Sequence, residues 1–218
     1  MHRLSRQSIN AQPSQSGLRL LGDIQRQSTM KLKFLLLTCL LIFSRVCDFY
    51  STSLWFFQPG GMESERNPLT YFLGVGWSGL IIANVIVVGA IIGMFYYYCF
   101  RYKRPIATPY KARNYWELAS LHYFGRPDRY YQLFYKIPKN KHVLFAHLGY
   151  VGTIGCIAGS FIATFHNFSQ FYGFPFYDRF REIVGRPLFV IYGLMILIAI
   201  LLHRNLLKQE YRRYIDIS

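Results

Sequence analysis

The side chains that could do chemistry are few, and they stand in or beside long apolar runs. Arg45 and Asp48 are three apart in the run that begins at Phe34, with Thr52 one turn further, so a helix there carries all three on one face. An ionisable group inside a membrane helix costs about 2.5–3.5 kcal/mol on insertion scales, so it calls for a partner or a purpose. Two readings follow: a self-neutralising Arg45–Asp48 pair near the outer interface, or Asp48 as a site residue. Glu65 stands just before a helix start expected at Asn67-Pro68, where the positive end of a helix dipole favours a carboxylate. Asp48 and Glu65 could divide acid and base work if their surroundings separate their pKa values, and His166 could add a base. No His-x-x-x-His or His-x-x-Glu spacing is present, so neither a metal nor a cofactor is expected.

Which groups could join Asp48 follows from depth. At 1.5 Å per residue Asp48 lies roughly 21 Å across the bilayer from Phe34, in the outer third, and Ser78 and Tyr192 fall at about that level. His147 is only about 6 Å from the inner face, too far to pair with Asp48. The expected site is therefore one outward-opening polar pocket, with Asp48, Glu65 and His166 as candidate reactive groups and Arg45, Thr52, Asn67, Ser78 and Tyr192 as binding residues. Asn84, nearer the middle, reads as a cross-link between helices.

These positions require helices to hold them. Of the 218 residues, 52% are hydrophobic and 16% charged, which rules out disorder over most of the chain. A net charge of +15 would ordinarily raise nucleic-acid binding, but uninterrupted apolar runs make membrane insertion the reading that explains both facts. Runs of about 20 apolar residues predict four spans, at about 34–55, 72–100, 143–165 and 188–203. Six Lys and Arg precede the first span, ten lie in the 101–142 connection and four in the tail, against four in the other two loops. Basic loops stay cytoplasmic, so both termini and residues 101–142 are placed there, with the cell inner membrane as the expected location.

The fold class is thus all-α, a four-helix transmembrane bundle spanning 30–218, with an amphipathic interfacial helical connection between helices 2 and 3. Asn114 reads as an N-cap with Glu117 three residues on and Gly125 as a stop, and a second short helix is expected within 128–136. The mixture of Trp116, Tyr130, Tyr131 and Tyr135 with Arg126, Arg129 and Lys136 suits the headgroup layer. Residues 1–29, rich in Ser, Gln and Arg, are expected to be a disordered basic segment. Their composition resembles a transit peptide, but Met30-Lys-Leu-Lys before FLLLTCLLIF reads like a natural bacterial start, the favoured reading. Cys39, Cys47, Cys99 and Cys156 fall in spans without paired spacing and read as buried thiols. Gly89-x-x-x-Gly93 and Gly155-x-x-x-Gly159 mark close helix packing.

The pattern Asp48-x-x-x-Thr52, Gly60-Gly61, Glu65-x-Asn67-Pro68-Leu69 resembles a family of small multi-pass prokaryotic membrane proteins of unknown function. The resemblance covers mainly residues 40–100; it implies the site positions and names no reaction, and the long 101–142 connection departs from it. The functional expectation is a non-enzymatic scaffold, assembly factor or accessory subunit. The alternative is a membrane-embedded enzyme or binding site for a lipid-linked substrate at the outer leaflet. Expected partners are membrane lipids and a membrane protein or second copy of the chain, with no nucleic acid.

Overall fold

The computed structural model describes residues 15–59, 74, 76–102 and 110–216, and all the regular structure among them is helical. In chain order the helices are α1 (Gln15–Phe56), α2 (Trp77–Tyr96), α3 (Tyr115–Phe124), α4 (Lys141–Phe171), α5 (Pro175–Val184) and α6 (Pro187–Ile215). A π-helical turn, Tyr97–Arg101, continues α2, and a 3₁₀ turn, Tyr130–Phe134, follows α3. Three helical stretches, Trp77–Arg101, Lys141–Phe171 and Pro187–Ile215, are long and apolar enough to cross a membrane.

The hub is α4, on which α1, α2 and α6 all pack, α1 most extensively. Along α1, Phe34, Leu37, Leu41, Ser44, Asp48, Ser51 and Trp55 recur every three or four residues, the spacing that keeps one seam against a partner helix. Leu41, Ser44 and Ser51 on that seam are fully buried. On α4 the facing residues include Thr153, Ile157, Ser160 and Thr164, all buried. Leu41 and Ile157 close a cluster with Ile91 of α2. The two helices α2 and α4 approach closely at Gly149, where an added Cβ would overlap the Met94 carbonyl group of α2. Of the four glycines singled out by their spacing, Gly89, Gly93 and Gly155 face open space, and Gly159 meets the flexible end of Met195.

Several boundaries differ from the sequence reading. Helix α1 starts at Gln15, so the segment expected to carry no structure is helical from there. Once a helix is nucleated each further residue adds a bond, and Leu, Arg, Gln and Lys here are good helix formers. For the same reason α6 continues past His203 through Leu, Lys, Gln, Glu and Arg to Ile215. The stretch 175–184, read as a loop, forms α5, with Pro175 at its first turn and Gly185 at φ +70° ending it.

The connection also differs in kind. Helix α3 has the expected caps: the Asn114 side chain accepts the Trp116 and Glu117 N–H groups at 3.0 Å, and Gly125 closes it at φ +72°. Yet it buries Leu118, Ala119, Ser120, His122, Tyr123 and Phe124, more than one face, so it is not a surface-lying amphipathic helix. Ala119, Tyr123 and Phe124 pack with Val143 of α4 and Leu207 of α6, making residues 110–140 a cap seated on the ends of those helices.

Candidate functional site

Two polar clusters lie at opposite ends of the helices. The first is built on Arg45, half-buried beside the seam of α1. Its guanidinium donates to the Asp48 carboxylate at 2.9 Å, to Ser160 Oγ of α4 at 3.0 Å, and to Asn84 Oδ1 of α2. Asn84 in turn donates to the Leu80 carbonyl at 2.9 Å. One cation therefore cross-links three helices, and Asp48 is the counter-charge that lets it lie there. A turn further out, the Asn167 side chain donates to Ser51 Oγ and Thr52 Oγ1 at 3.1 and 3.2 Å, and Trp55 Nε1 donates to the Asn167 carbonyl at 3.2 Å.

Of the other expected site residues, Thr52 lies one turn from Asp48 and shares Asn167 with Ser51. Ser78 is exposed, and Tyr192 of α6 is 45% exposed. Depth arithmetic gives a side chain's height in the bilayer but not its direction around the helix axis, and both point away from the seam. His166 is engaged by the Tyr177 hydroxyl and serves to dock α5 on α4. Glu65 and Asn67, with the whole 60–69 string, lie outside the described residues.

The second cluster was not foreseen. It lies where α3 meets α4 and α6, and it is a run of close polar contacts, hydrogen-bonded from Tyr130 to His147 and ending at the Glu210 carboxylate. Tyr123 Oη of α3 is 2.6 Å from His147 Nδ1 of α4 and 3.0 Å from His203 Nε2 of α6. Tyr130 Oη of the 3₁₀ turn is 3.4 Å from His203 Nδ1. At the other end His147 Nε2 is 3.1 Å from Glu210 Oε2, and His122 Nδ1 is 3.8 Å from the same oxygen. His122, Tyr123, His147 and Glu210 are all buried. The turn that delivers Tyr130 is fixed by Ser120, whose hydroxyl donates to the Arg126 carbonyl at 2.5 Å and accepts the Arg129 N–H at 2.6 Å. The π-helical turn ending α2 brings the Tyr102 ring against His147.

With Glu210 as a carboxylate and the imidazoles neutral, donor and acceptor counting leaves one direction for this chain. His147 turns its Nε2–H toward the Glu210 carboxylate and accepts from Tyr123 at Nδ1. Tyr123 accepts from His203 Nε2, and His203 accepts from Tyr130 at Nδ1. Burial, reinforced by the negative charge of Glu210, pushes the Tyr123 phenol well above its ordinary value, and burial with a smaller contribution from Tyr115 pushes Tyr130 up to about 12.

Sequence reading missed this cluster because its members come from four separate elements and share no local spacing. One signal was available: the depth arithmetic that placed His147 near the inner face places His203 and Glu210 near it too, beside a connection holding His122 and Tyr123. No protein-family model, curated protein or solved structure matches the chain. The chemistry of both clusters is therefore read from their geometry.

Proposed function

We propose that the chain is a multi-pass integral membrane protein that works as a non-enzymatic scaffold or accessory subunit, with α1 as a fourth span and residues 110–140 as a rigid cytoplasmic platform. The observation that carries this reading is the buried Tyr130–His203–Tyr123–His147–Glu210 chain, which ties the platform to α4 and α6. Buried polar networks of this kind fix one arrangement, because a broken link leaves a group unsatisfied in a medium of low dielectric. The outer cluster has the same character: Arg45 and Asp48 are engaged with each other and with neighbouring helices. What is left outward on the platform is aromatic and basic, with Tyr131, Tyr135 and Ile137 57–80% exposed beside Lys136 and Lys139. Aromatic residues exposed on a rigid support are the composition of a protein-docking surface. The +15 charge, concentrated in the segments assigned to the cytoplasm, supports the orientation with both termini inside.

The test is site-specific photo-crosslinking in native membranes. A photo-reactive side chain at Tyr135 should give one discrete protein adduct, while the same group at Ile200 on the exposed apolar face of α6 should react with lipid. Lipid adducts alone from positions 131, 135 and 137 would sink the scaffold reading.

A further inference from the structure

We propose that the groove between residues 111–113 and the last turn of α6 binds the phosphate of an anionic phospholipid headgroup. The groove has a volume of about 560 Å³ and is lined by Lys111, Ala112, Arg113, Tyr211, Tyr214 and Ile215. Its walls are fixed: Tyr211 donates its hydroxyl to the Arg113 carbonyl at 2.6 Å, and Tyr214 Oη accepts the Ala112 N–H at 3.3 Å. With the hydroxyls used in this way, the tyrosine rings and Ile215 give the groove an apolar wall. The two cations give it a polar mouth.

Lys111 and Arg113 have exposed side chains, and Arg212 and Arg213 are exposed on the same turn of α6. Two acids stand near the groove in sequence. Glu117 accepts the Arg113 backbone N–H at 2.8 Å, and Asp216 is exposed beyond the helix end. A mouth of cations beside an apolar wall matches a lipid, whose phosphate sits next to its acyl chains, better than it matches a free anion.

Depth supports the same ligand, resting on the reading that α6 spans. From Pro187, Tyr211 to Ile215 lie about 36–42 Å along the helix. With Pro187 at the outer surface of a bilayer about 40–45 Å thick including headgroups, this turn falls in the opposite headgroup layer. The cytoplasmic leaflet carries the anionic lipid that such a groove would select.

The full chain, reconstituted in nanodiscs of phosphatidylcholine with a minority of phosphatidylglycerol, would be released into detergent and its retained lipid counted by native mass spectrometry. The wild type should keep phosphatidylglycerol. Lys111→Gln with Arg113→Gln should lower retention about 30-fold, the loss of two cations near a headgroup surface. Lys139→Gln with Lys141→Gln, the same charge loss elsewhere, should leave it unchanged, and the charge-keeping Lys111→Arg with Arg113→Lys should retain the lipid. Equal losses in both Gln pairs would reduce the effect to net charge and overturn the groove. Inorganic phosphate that broadens in its phosphorus resonance on phosphatidylcholine-only discs, in a Lys111- and Arg113-dependent way, would assign a free anion instead of lipid. A wild-type chain that enters the discs but keeps no phosphatidylglycerol overturns the groove alone. One that fails to enter overturns the spanning reading of α6 and the groove with it.

Discussion

Arg45 is the residue whose loss would be felt furthest, because three helices converge on its guanidinium. Arg45→Met leaves the Asp48 carboxylate without its cation and removes the donors to Ser160 and Asn84. Removing one partner of a fully buried pair costs about 3–5 kcal/mol, and this half-buried pair less, whereas replacing both by groups of similar shape is far milder. Arg45→Met should therefore lower the thermal midpoint in detergent sharply, and adding Asp48→Asn should recover part of the loss; a double variant worse than the single would mean the pair is not the unit. Tyr130 and Tyr123 act similarly for the cap, with a pH signature. Both phenols titrate higher in the folded chain, Tyr130 at about 12, than their ordinary value near 10. Between those values the folded cap keeps protons that an unfolded one gives up, so stability is full below pH about 10 and falls as pH rises toward about 12. Melting curves across that range should show the fall. Tyr130→Phe, which cannot ionise, should make it shallower, leaving the part that Tyr123 contributes.

Among the elements, α4 sets the geometry, and its glycines differ in what they do. Gly149→Ala would drive a methyl into the α2 backbone and should separate the two helices, with a large loss of stability and a changed pattern of crosslinks between cysteines placed on α2 and α4. Gly155→Ala and Gly93→Ala, which face open space, should be tolerated. Spacing alone had pointed to the second group: a small-x-x-x-small pair shows that close approach is permitted, not where it occurs. Helix ends were more legible. Asn114, Gly125 and Pro187 act locally, through one cap bond, one positive φ or one fixed φ, so a few residues of sequence contain the whole cause. The start of α1 at Gln15 was hidden, because apolar content identifies a span and helices outrun the membrane. Helix α5 was hidden too, although Pro175 and Gly185 bracket it, because it is ten residues long and charges interrupt its apolar positions. Its exposed Phe176 and Ile183 beside Arg179 and Arg186 give it the composition of a helix lying at the interface.

At the scale of the whole molecule, the three apolar helices were legible from run length, and the aromatic connection from its caps. The arrangement around a hub was not, because azimuth and helix-to-helix distance follow from contacts between residues far apart in sequence. The proposed topology places the turn after α1 and helix α5 on one side of the membrane and the cap with the end of α6 on the other. Single cysteines at Gln58 and Arg179 should react with an impermeant maleimide from the outside, and those at Lys136 and Arg212 only after the membrane is opened, in a background without the four native cysteines. All four positions are exposed, which Gln132, in the same connection, is not. Reaction of Lys136 and Gln58 from one side would overturn the topology.

The bonds of Arg45 also carry a timing. Its partner Ser160 is 115 residues downstream, which at about 5–20 residues per second takes roughly 6 to 23 s to synthesise. On the proposed topology α1 and α2 wait in the membrane through that interval, before the helix that will join them exists. Asp48 follows Arg45 within one turn and Asn84 is made well before α4, so the cation has a neutralising group and a second acceptor at hand from the start. The ion pair is then an escort for a charge during biogenesis, and Ser160 completes a coordination that two earlier residues have already begun.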